Sequence, residues 1–577
     1  MDMSANPVPR DCARHIVDAF ARYNAEFRAI TQRAPQRFDA RDWKGSQRDA
    51  VERIELYDHY VNQTVAALRL ALGAHAADRS LWQLIRAEFA AQITALPDPE
   101  FTKTFFSSIS RRLFGTVGVA PDIEFVATDL DPLAVIHSAL GTNTYLNHGS
   151  LALLFEDLLG DVRFRSRWRD LDASIAHVAS EVRGYLHLHG ERRGVERVEV
   201  VRAVFYQMSR AYIVGRIQGR GFLVPLVIAL KNTDGGVLVD AVMLDEADVS
   251  ILFGFTRSYF HADLERVAEA VVFLRSLMPR KPVSELFTAL GRARQGKTER
   301  YRELMRNLEH THDLFEHAAG ERGLVMVCFT LPSFDVVFKV IRDRFAYPKT
   351  VLREEVMEKY RLVFIHDRAG RLVDAQEFRR LRFPRARFAP ALLEELRRET
   401  AGSVHEDGAD LVFDHLYIER RMTPLNLYVR SAPAADAERA VLDYGQCIRD
   451  LAYTNIFPGD LLLKNFGVTR HGRVIFYDYD ELCSVTDCNF RDVPAATHEE
   501  DEMLGEAWFY VAENDVFPET FLNFLGFSDA QRAALLRVHG EILTASFWRG
   551  VQQRLRDGEV MEVLPYHPHR VRVASSL

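Results

Sequence analysis

The sequence predicts an α+β protein in two parts. A mainly helical N-terminal domain with a β-hairpin-rich insert is followed by a bilobal C-terminal domain: small β lobe, connector, large α lobe. Three observations predict it. Apolar residues recur at three and four through the first third of the chain, β-branched runs replace that period from about residue 198, and the last 267 residues alternate short strands with helices. A chain of 577 residues also exceeds what one hydrophobic core usually holds. A boundary near residue 310 gives domains 1–310 and 311–577.

Taken in order, Ala13, Ile16, Val17, Phe20, Tyr23, Phe27 and Ile30 share one helical face. Residues 47–72 repeat the pattern through Val51, Ile54, Leu56, Tyr57, Val61, Val65, Leu68 and Leu72. Helices at 80–95 and 100–114 follow, punctuated by Pro97 and Pro99. These stripes read as core and ask for no cofactor. The segments AYIVGRI, FLVPLVIAL and VLVDAVML read as strands, the last two joined through Asn232, Thr233, Asp234, Gly235 and Gly236 as a hairpin. Helical spacing returns at 262–276 and at 283–309.

Beyond 310, LVMVCFT (324–330) and VVFKVI (336–341) read as strands across the tight turn LPSFD. Helices are expected at 351–364 and 390–400, and DLVFDHLYIERRM reads as strands running into an extended TPLNLYV. A helix at 436–454 delivers the chain to NIFPGDLLLKNFGVTRHGRVIFYDYDE (455–481), and aromatic helices at 505–556 complete the α lobe.

Composition narrows the function. With 48% hydrophobic and 27% charged residues the chain is an ordinary globular one. A net charge of −8 argues against nucleic acid or an anionic membrane as the main partner, because both reward a basic face. No run approaches a membrane span, and the N-terminus, with Asp2 and Asp11, has no secretory signal pattern. Five scattered cysteines with no CxxC pair make neither a disulfide framework nor a zinc site, so a reducing cytoplasm is expected. Cys483 and Cys488 are close enough in sequence to approach each other, but buried free thiols are the preferred reading.

Residues 291–298, GRARQGKT, match the P-loop pattern GxxxxGK(S/T) literally. A P-loop must leave a buried strand and open a helix so that backbone N–H groups hold phosphate. VSELFTAL, which precedes Gly291, has helical spacing, so Lys297 and Thr298 are not assigned to nucleotide. His366-Asp367-Arg368 is a second decoy, a scrambled kinase triplet with no asparagine five residues after its aspartate.

The stretch 455–481 carries the chemistry. Asp460 and Asn465 are five apart and Asp478 lies eighteen beyond Asp460, across an expected hairpin. Phosphoryl transfer from a nucleotide needs carboxylate and amide oxygens for Mg²⁺ and a further carboxylate to orient the attacking hydroxyl. Protein kinases arrange these as D-x-x-x-x-N followed by an acidic residue after the next strand. Asp460 is then the general base, and Asn465 and Asp478 the metal ligands. Lys339, held by apolar neighbours on a strand, suits the α and β phosphates. In the turn AAGERGL (Ala318, Ala319, Gly320, Glu321, Arg322, Gly323, Leu324) the two glycines let backbone N–H groups approach phosphate oxygens. No glutamate evidently pairs Lys339; Glu354, Glu355 and Glu358 on the following helix are the candidates.

Six segments, LYDHYV (56–61), FGFTRSYF (253–260), CFTLPSFDVVFKVIRDRFA (328–346), HDRAGRLVDAQEF (366–378), HLYIERRMTPLN (415–426) and the 455–481 stretch, resemble the bacterial isocitrate dehydrogenase kinase/phosphatases over nearly the whole length. The resemblance implies a regulatory N-terminal half and a protein-kinase-like C-terminal half. It also implies a bifunctional enzyme that phosphorylates a serine of NADP-dependent isocitrate dehydrogenase and reverses this, dividing carbon between the citric acid cycle and the glyoxylate bypass. It maps the family's ATP loop onto Ala318–Leu324, its ATP lysine onto Lys339, and its active-site aspartate onto Asp374, which would serve the phosphatase direction; direct attack of water on the phosphoserine and return of the phosphoryl group to ADP followed by ATP hydrolysis both stay open. HLYIERRM resembles the adenine-holding hinge. The ligands implied are ATP or ADP with Mg²⁺ (Mn²⁺ as an alternative) and AMP as allosteric effector. Two readings compete: a small-molecule phosphotransferase, and a nucleotide-sensing binding protein with a silent kinase fold.

Overall fold

The computed structural model describes residues 7–96, 98–126, 141–190, 194–254, 260–346, 352–366, 368–494 and 509–566. Pro97, residues 255–259 of FGFTRSYF, Asp367 of the decoy triplet and residues 505–508 lie outside them. The chain divides into two compact units. Unit 1 comprises 1–312, 380–382 and the chain from Tyr566 onward; unit 2 comprises 313–379 and 383–565.

In unit 1, helices α1 (Pro7–Thr31), α2 (Ala34–Asp39), α3 (Trp43–Leu72), α4 (Arg79–Ile93) and α5 (Pro99–Phe114) come first. Asp42 caps α3, accepting from the Gly45 N–H at 2.8 Å. The expected stripes meet in an aromatic core in which the Tyr23 and Tyr57 rings lie 5.4 Å apart, edge to face. A six-stranded antiparallel sheet follows: β1 (Thr142–Leu146), β2 (Val195–Val201), β3 (Phe205–Gln207), β4 (Arg210–Gly219), β5 (Phe222–Thr233) and β6 (Gly236–Met243). Its order is β1-β2-β4-β5-β6, with β3 on β4. The hairpin expected at 232–236 is present, and Gly236 is obligatory there: its φ is +117° and a Cβ would stand 2.4 Å from the Arg167 carbonyl. Helices α6 (Leu151–Gly160) and α7 (Leu171–Leu188) share the core of this sheet.

Helices α8 (Glu246–Leu252) and α9 (Val267–Leu277) follow the sheet. The helical spacing at 283–309 resolves into α10 (Val283–Ala289) and α11 (Ala293–His310), broken at Gly291, whose φ is +83°. The late return of the chain is also part of this unit. Tyr566 is buried, its hydroxyl donates to Asp240, and it accepts from Arg210 Nε at 2.8 Å.

Unit 2 opens with β7 (Glu316–His317), β8 (Met326–Leu331) and β9 (Phe334–Ile341), then α12 (Arg353–His366), β10 (Gln376–Pro384), α13 (Pro390–Glu399), β11 (Val404–Asp407) and β12 (Asp410–Arg420). The sheet order is β10-β12-β9-β8-β7, with β11 on β12. β13 (Thr423–Pro424), α14 (Leu425–Ser431), α15 (Ala434–Tyr453), β14 (Phe466–Val468), β15 (Val474–Phe476), β16 (Asn489–Phe490), β17 (Asp515–Val516), α16 (Asp529–His539) and α17 (Ala545–Arg556) complete it. One continuous core runs from Ile341 and Tyr417 through Tyr444 and Phe476 to Trp548.

The α+β class and the strand-then-helix order of the C-terminal half are as expected. Two local expectations are corrected. TPLNLYV is not extended: only Thr423 and Pro424 pair with β14, and from Leu425 the chain is helical because Pro424, at ψ 132°, starts a turn that buries Leu425 and Val429 one turn apart. Residues 509–528 hold β17 and the 3₁₀ segment Pro518–Phe524 rather than aromatic helix.

Candidate functional site

The small sheet supplies the first half of the site. β7 and β8 pair antiparallel, and the Ala318 N–H donates to the Cys328 carbonyl at 3.0 Å. Ala318 to Leu324 is therefore the connection between two paired strands, with Gly320, Glu321, Arg322, Gly323 and Leu324 exposed. Gly320 has φ +117°. The Gly323 carbonyl accepts from Arg342 Nε at 3.2 Å, which fixes one end of the connection to the residue that follows β9.

Lys339 lies in the middle of β9, paired with Cys328 of β8 on one side and Tyr417 of β12 on the other. It is 6% exposed. Its ammonium forms an ion pair with Glu419 and donates to the Tyr477 carbonyl at 2.8 Å. Burial alone pulls the ammonium's pKa down, but Glu419, Cys328 and Asp478 outweigh it and hold the pKa above the ordinary lysine range. The candidate glutamates on α12 do not take this role: Glu354, Glu355 and Glu358 are exposed, and Glu355 instead accepts from the Leu352 N–H. Glu419 was missed because it lies on a strand far along the chain. The available signal is its place two residues after Tyr417, on the face of β12 that meets Lys339.

The second half comes from 455–481. The β14–β15 hairpin pairs Phe466 with Phe476 and turns through Gly472 at φ +78°, so Asn465 and Tyr477 are adjacent and the Tyr477 N–H donates to the Asn465 carbonyl at 3.0 Å. Asp478 is the next residue. Asp460 is half-buried; its Oδ1 accepts from the Leu462 N–H at 2.8 Å, and the buried Asn465 side chain donates to its carbonyl at 3.4 Å. Burial pushes the Asp460 carboxyl above its usual range, against the Leu462 hydrogen bond. Gly459 has φ +80°, and a Cβ there would stand 2.4 Å from the Glu481 carbonyl. Lys464 reaches back to Glu321 at 3.4 Å, which brings the 318–324 connection over the Asp460–Asn465 segment.

Asp374 belongs to the same neighbourhood. Leu372 and Phe476 form a parallel bridge, and the Val373 N–H donates to the Phe476 carbonyl at 3.2 Å. Asp374 and Asp478 each follow that bridge by two residues. Asp374 is buried, accepts from Gln376 Nε2 at 2.8 Å, and precedes a strand, so it caps no helix. Below it Arg371 is held by Asp443 (2.7 and 2.9 Å) and Asp450 (2.8 Å) and donates to the Val474 carbonyl at 3.0 Å. Arg371 keeps the half-buried Asp443 ionised despite the desolvation that opposes it. No spacing in the sequence announced this cluster.

All the predicted site residues thus fall in unit 2. Asn465 and Asp478 offer amide and carboxylate oxygens, hard donors that suit Mg²⁺, which takes few protein ligands and completes its shell with phosphate and water. Among the described residues no three His, Cys, Asp or Glu side chains gather to hold a metal by themselves. The P-loop match is absent as a structure: residues 293–298 lie inside α11, which follows a helix.

Family models match both halves of the chain. The isocitrate dehydrogenase kinase/phosphatase (AceK) regulatory domain matches residues 13–312, and the kinase domain of the same family matches 313–568. The chain is 48% identical over 561 residues to an isocitrate dehydrogenase kinase/phosphatase of Anaeromyxobacter sp. (strain Fw109-5), covering 97% of each chain. It is 47% identical over 573 residues to that of Xanthomonas campestris pv. campestris (strain 8004), covering 98% of this chain and 99% of the relative. The protein of the same name from Anaeromyxobacter dehalogenans (strain 2CP-C) is 49% identical over 568 residues, 96% of this chain and 97% of the relative.

Proposed function

The chain belongs to the isocitrate dehydrogenase kinase/phosphatase family, and from that premise we propose that it phosphorylates a serine of an isocitrate dehydrogenase with ATP and removes the same phosphate, both in unit 2. The observation that carries this reading is the convergence of the 318–324 connection, Lys339, Asp460, Asn465 and Asp478 in one unit. In the forward direction Lys339 and the backbone of 318–324 hold the nucleotide phosphates. Asp460 takes the proton of the serine hydroxyl as its oxygen attacks the γ-phosphorus, and ADP leaves. Asn465 and Asp478 would hold Mg²⁺, or Mn²⁺ in its place, which neutralises charge on the phosphates when bound. In the reverse direction Asp374 orients water toward the phosphoserine, and its proximity to the Asp478 segment supports one site serving both reactions. The end of β12 and the residues up to Met422 form the adenine-holding connector. The enzyme acts in the cytoplasm, AMP shifts the balance of the two activities, and the outcome divides carbon between the citric acid cycle and the glyoxylate bypass. Among the described residues no helix is long and apolar enough to cross a membrane.

The test is incubation with ATP, Mg²⁺ and purified isocitrate dehydrogenase, following phosphate incorporation and dehydrogenase activity, then replacing ATP with ADP or AMP to follow release. Phosphate gained and lost on one serine, with activity falling and returning, is expected. Transfer to a small alcohol but not to the protein would favour a small-molecule phosphotransferase, and nucleotide binding without transfer a silent kinase fold.

A further inference from the structure

Cys483 and Cys488 meet directly behind the catalytic stretch. A 3₁₀ turn at Val485–Asp487 folds the chain between them, and their Sγ atoms lie 3.6 Å apart. The turn is pinned from two sides. The Asn455 side chain and carbonyl accept from the Thr486 and Val485 N–H groups at 3.0 and 3.3 Å, and Gln552 of α17 donates to the Val485 and Cys488 carbonyls at 2.8 and 2.7 Å. Cys483 is partly exposed and Cys488 is buried. The other three cysteines, at positions 12, 328 and 447, have no comparable sulfur neighbour among the described residues.

The two sulfurs are differentiated. The Cys488 S–H can donate to Cys483 Sγ and to the Ser484 carbonyl at 3.5 Å. That hydrogen bond, with Lys359 adding to it, lowers the Cys483 thiol's pKa from its ordinary value against burial, Asp487 and Glu481, while the same bond and burial raise that of Cys488. A partly exposed thiol of lowered pKa 3.6 Å from a buried one of raised pKa is the arrangement of an attacking and a resolving cysteine.

We propose that Cys483 and Cys488 are a modification site, a dithiol that a hydroperoxide or a small-molecule disulfide converts reversibly into an intramolecular disulfide and that thereby lowers phosphoryl transfer. With a hydroperoxide, the Cys483 thiolate attacks one peroxide oxygen, the O–O bond breaks, and the remaining oxygen leaves as alkoxide or hydroxide, giving a sulfenic acid. The Cys488 sulfur then attacks the Cys483 sulfur. The S–O bond breaks and water leaves with the Cys488 proton, so that two thiols lose two electrons and the peroxide becomes water and an alcohol, or two waters from hydrogen peroxide. With a small-molecule disulfide, Cys483 displaces one thiol to form a mixed disulfide and Cys488 displaces the second, so that the oxidant leaves as two thiols.

Closing the bond draws the sulfurs from 3.6 Å to about 2.05 Å. Backbone movement at Cys483 passes to Phe457, three residues before Asp460, because the Cys483 N–H and carbonyl both bond to it (3.0 and 2.8 Å). The same segment is packed tightly where Gly459 meets the Glu481 carbonyl. The contraction is thus delivered to the loop that carries Asp460, where a shift of about 1 Å costs on the order of 10²-fold in rate.

The functional half of this inference rests on the reading given above, and the test separates the two. Full-length protein is treated with hydrogen peroxide or oxidised glutathione, acid-quenched, alkylated, digested and mapped by mass spectrometry, with and without later reduction. The expected result is a Cys483–Cys488 linkage that reduction removes, with Cys12, Cys328 and Cys447 alkylated throughout. Cys488→Ser should leave a Cys483 sulfenic acid that dimedone traps. Transfer to isocitrate dehydrogenase should fall by about 10²-fold in the oxidised wild type and stay unchanged in oxidised Cys483→Ser/Cys488→Ser. Oxidation of Cys483 with no linkage to Cys488, no reaction at either, or a linkage that leaves transfer unchanged would overturn the proposal. Were the reduced wild type to transfer nothing, the functional reading would fail while the mapped linkage still decided whether the dithiol site exists.

Discussion

Lys339 and Glu419 form an ion pair inside one sheet, on adjacent strands whose positions in the chain are eighty residues apart. The pair is nearly fully buried, so each charge is stabilised by the other, and the ammonium also by the Tyr477 carbonyl. Glu419→Gln is expected to destabilise unit 2 by roughly 3 kcal/mol, the usual cost of leaving one member of a buried pair. Because the lysine then loses its orienting partner, KM for ATP should rise more than kcat falls. Glu354→Gln, Glu355→Gln and Glu358→Gln should each leave ATP affinity within about twofold, as exposed substitutions do. Steady-state kinetics at varied ATP and chemical denaturation check Glu419→Gln, and titration calorimetry with ATP checks the other three; an unchanged KM in Glu419→Gln would reduce the pair to a structural one.

Asp460→Asn should lower phosphoryl transfer by roughly 10²-fold or more, within the range for a positioned base. Only the ionised carboxylate accepts the serine proton, and burial raises its pKa, so the rate should climb with pH with a midpoint above the ordinary 3.8. The acid limb should flatten in Asp460→Asn. A wild-type limb at or below that ordinary value would argue against Asp460 as the base.

Asp374→Asn keeps the size of the side chain and the room for its contact with Gln376. It should depress dephosphorylation at least about tenfold more than phosphorylation, since only the former needs a carboxylate to activate water. The two directions are measured on the same preparation, and equal losses would assign Asp374 to the shared framework.

How much of this was legible follows from range along the chain. Asp460, Asn465 and Asp478 were readable because a short hairpin joins them and hairpin geometry is local. Lys339 was readable because its strand is apolar on both sides. Glu419 was not, because its meaning depends on β12 inserting between β9 and β10, an order no local pattern specifies. The placement of Asp374 needs the Leu372–Phe476 bridge, which spans more than a hundred residues. The resemblance named Asp374; the residues around it, a glycine turn and polar neighbours, pointed to an ordinary loop. TPLNLYV misled in the other direction: its side chains suit a strand, but Pro424 and the burial of Leu425 and Val429 make it a helix.

Lys297→Ala should leave ATP affinity within about twofold, because residue 297 lies within a helix whose backbone N–H groups are already bonded. Equilibrium binding with a fluorescent ATP analogue reads this directly, and a large loss would restore the P-loop reading.

Glu299, in the same helix, is 1% exposed and accepts from Arg302 at 2.7 Å. Burial raises its pKa to about 7 against the partial relief from Arg302. A carboxyl whose folded pKa exceeds its unfolded 4.5 contributes stability that is full below that value and lost as pH rises through about 7. The whole span amounts to roughly 3 kcal/mol. Thermal unfolding of Glu299→Gln should therefore decline less steeply between about pH 5 and pH 8 than that of the wild type; parallel curves would place the titration elsewhere.

Tyr566 has a bearing on how the molecule can be taken apart. Its phenol bonds both members of the directly paired Arg210 and Asp240, so unit 1 needs a piece of chain that is synthesised after unit 2. A ribosome finishing residue 312 has made a domain that still lacks one of its own core side chains. That domain waits for the whole of unit 2 to be translated before its polar cluster closes. An expression fragment ending at the same place would carry the buried Arg210–Asp240 pair without the phenol that bonds both of its members, and its behaviour would misreport the domain in the intact chain.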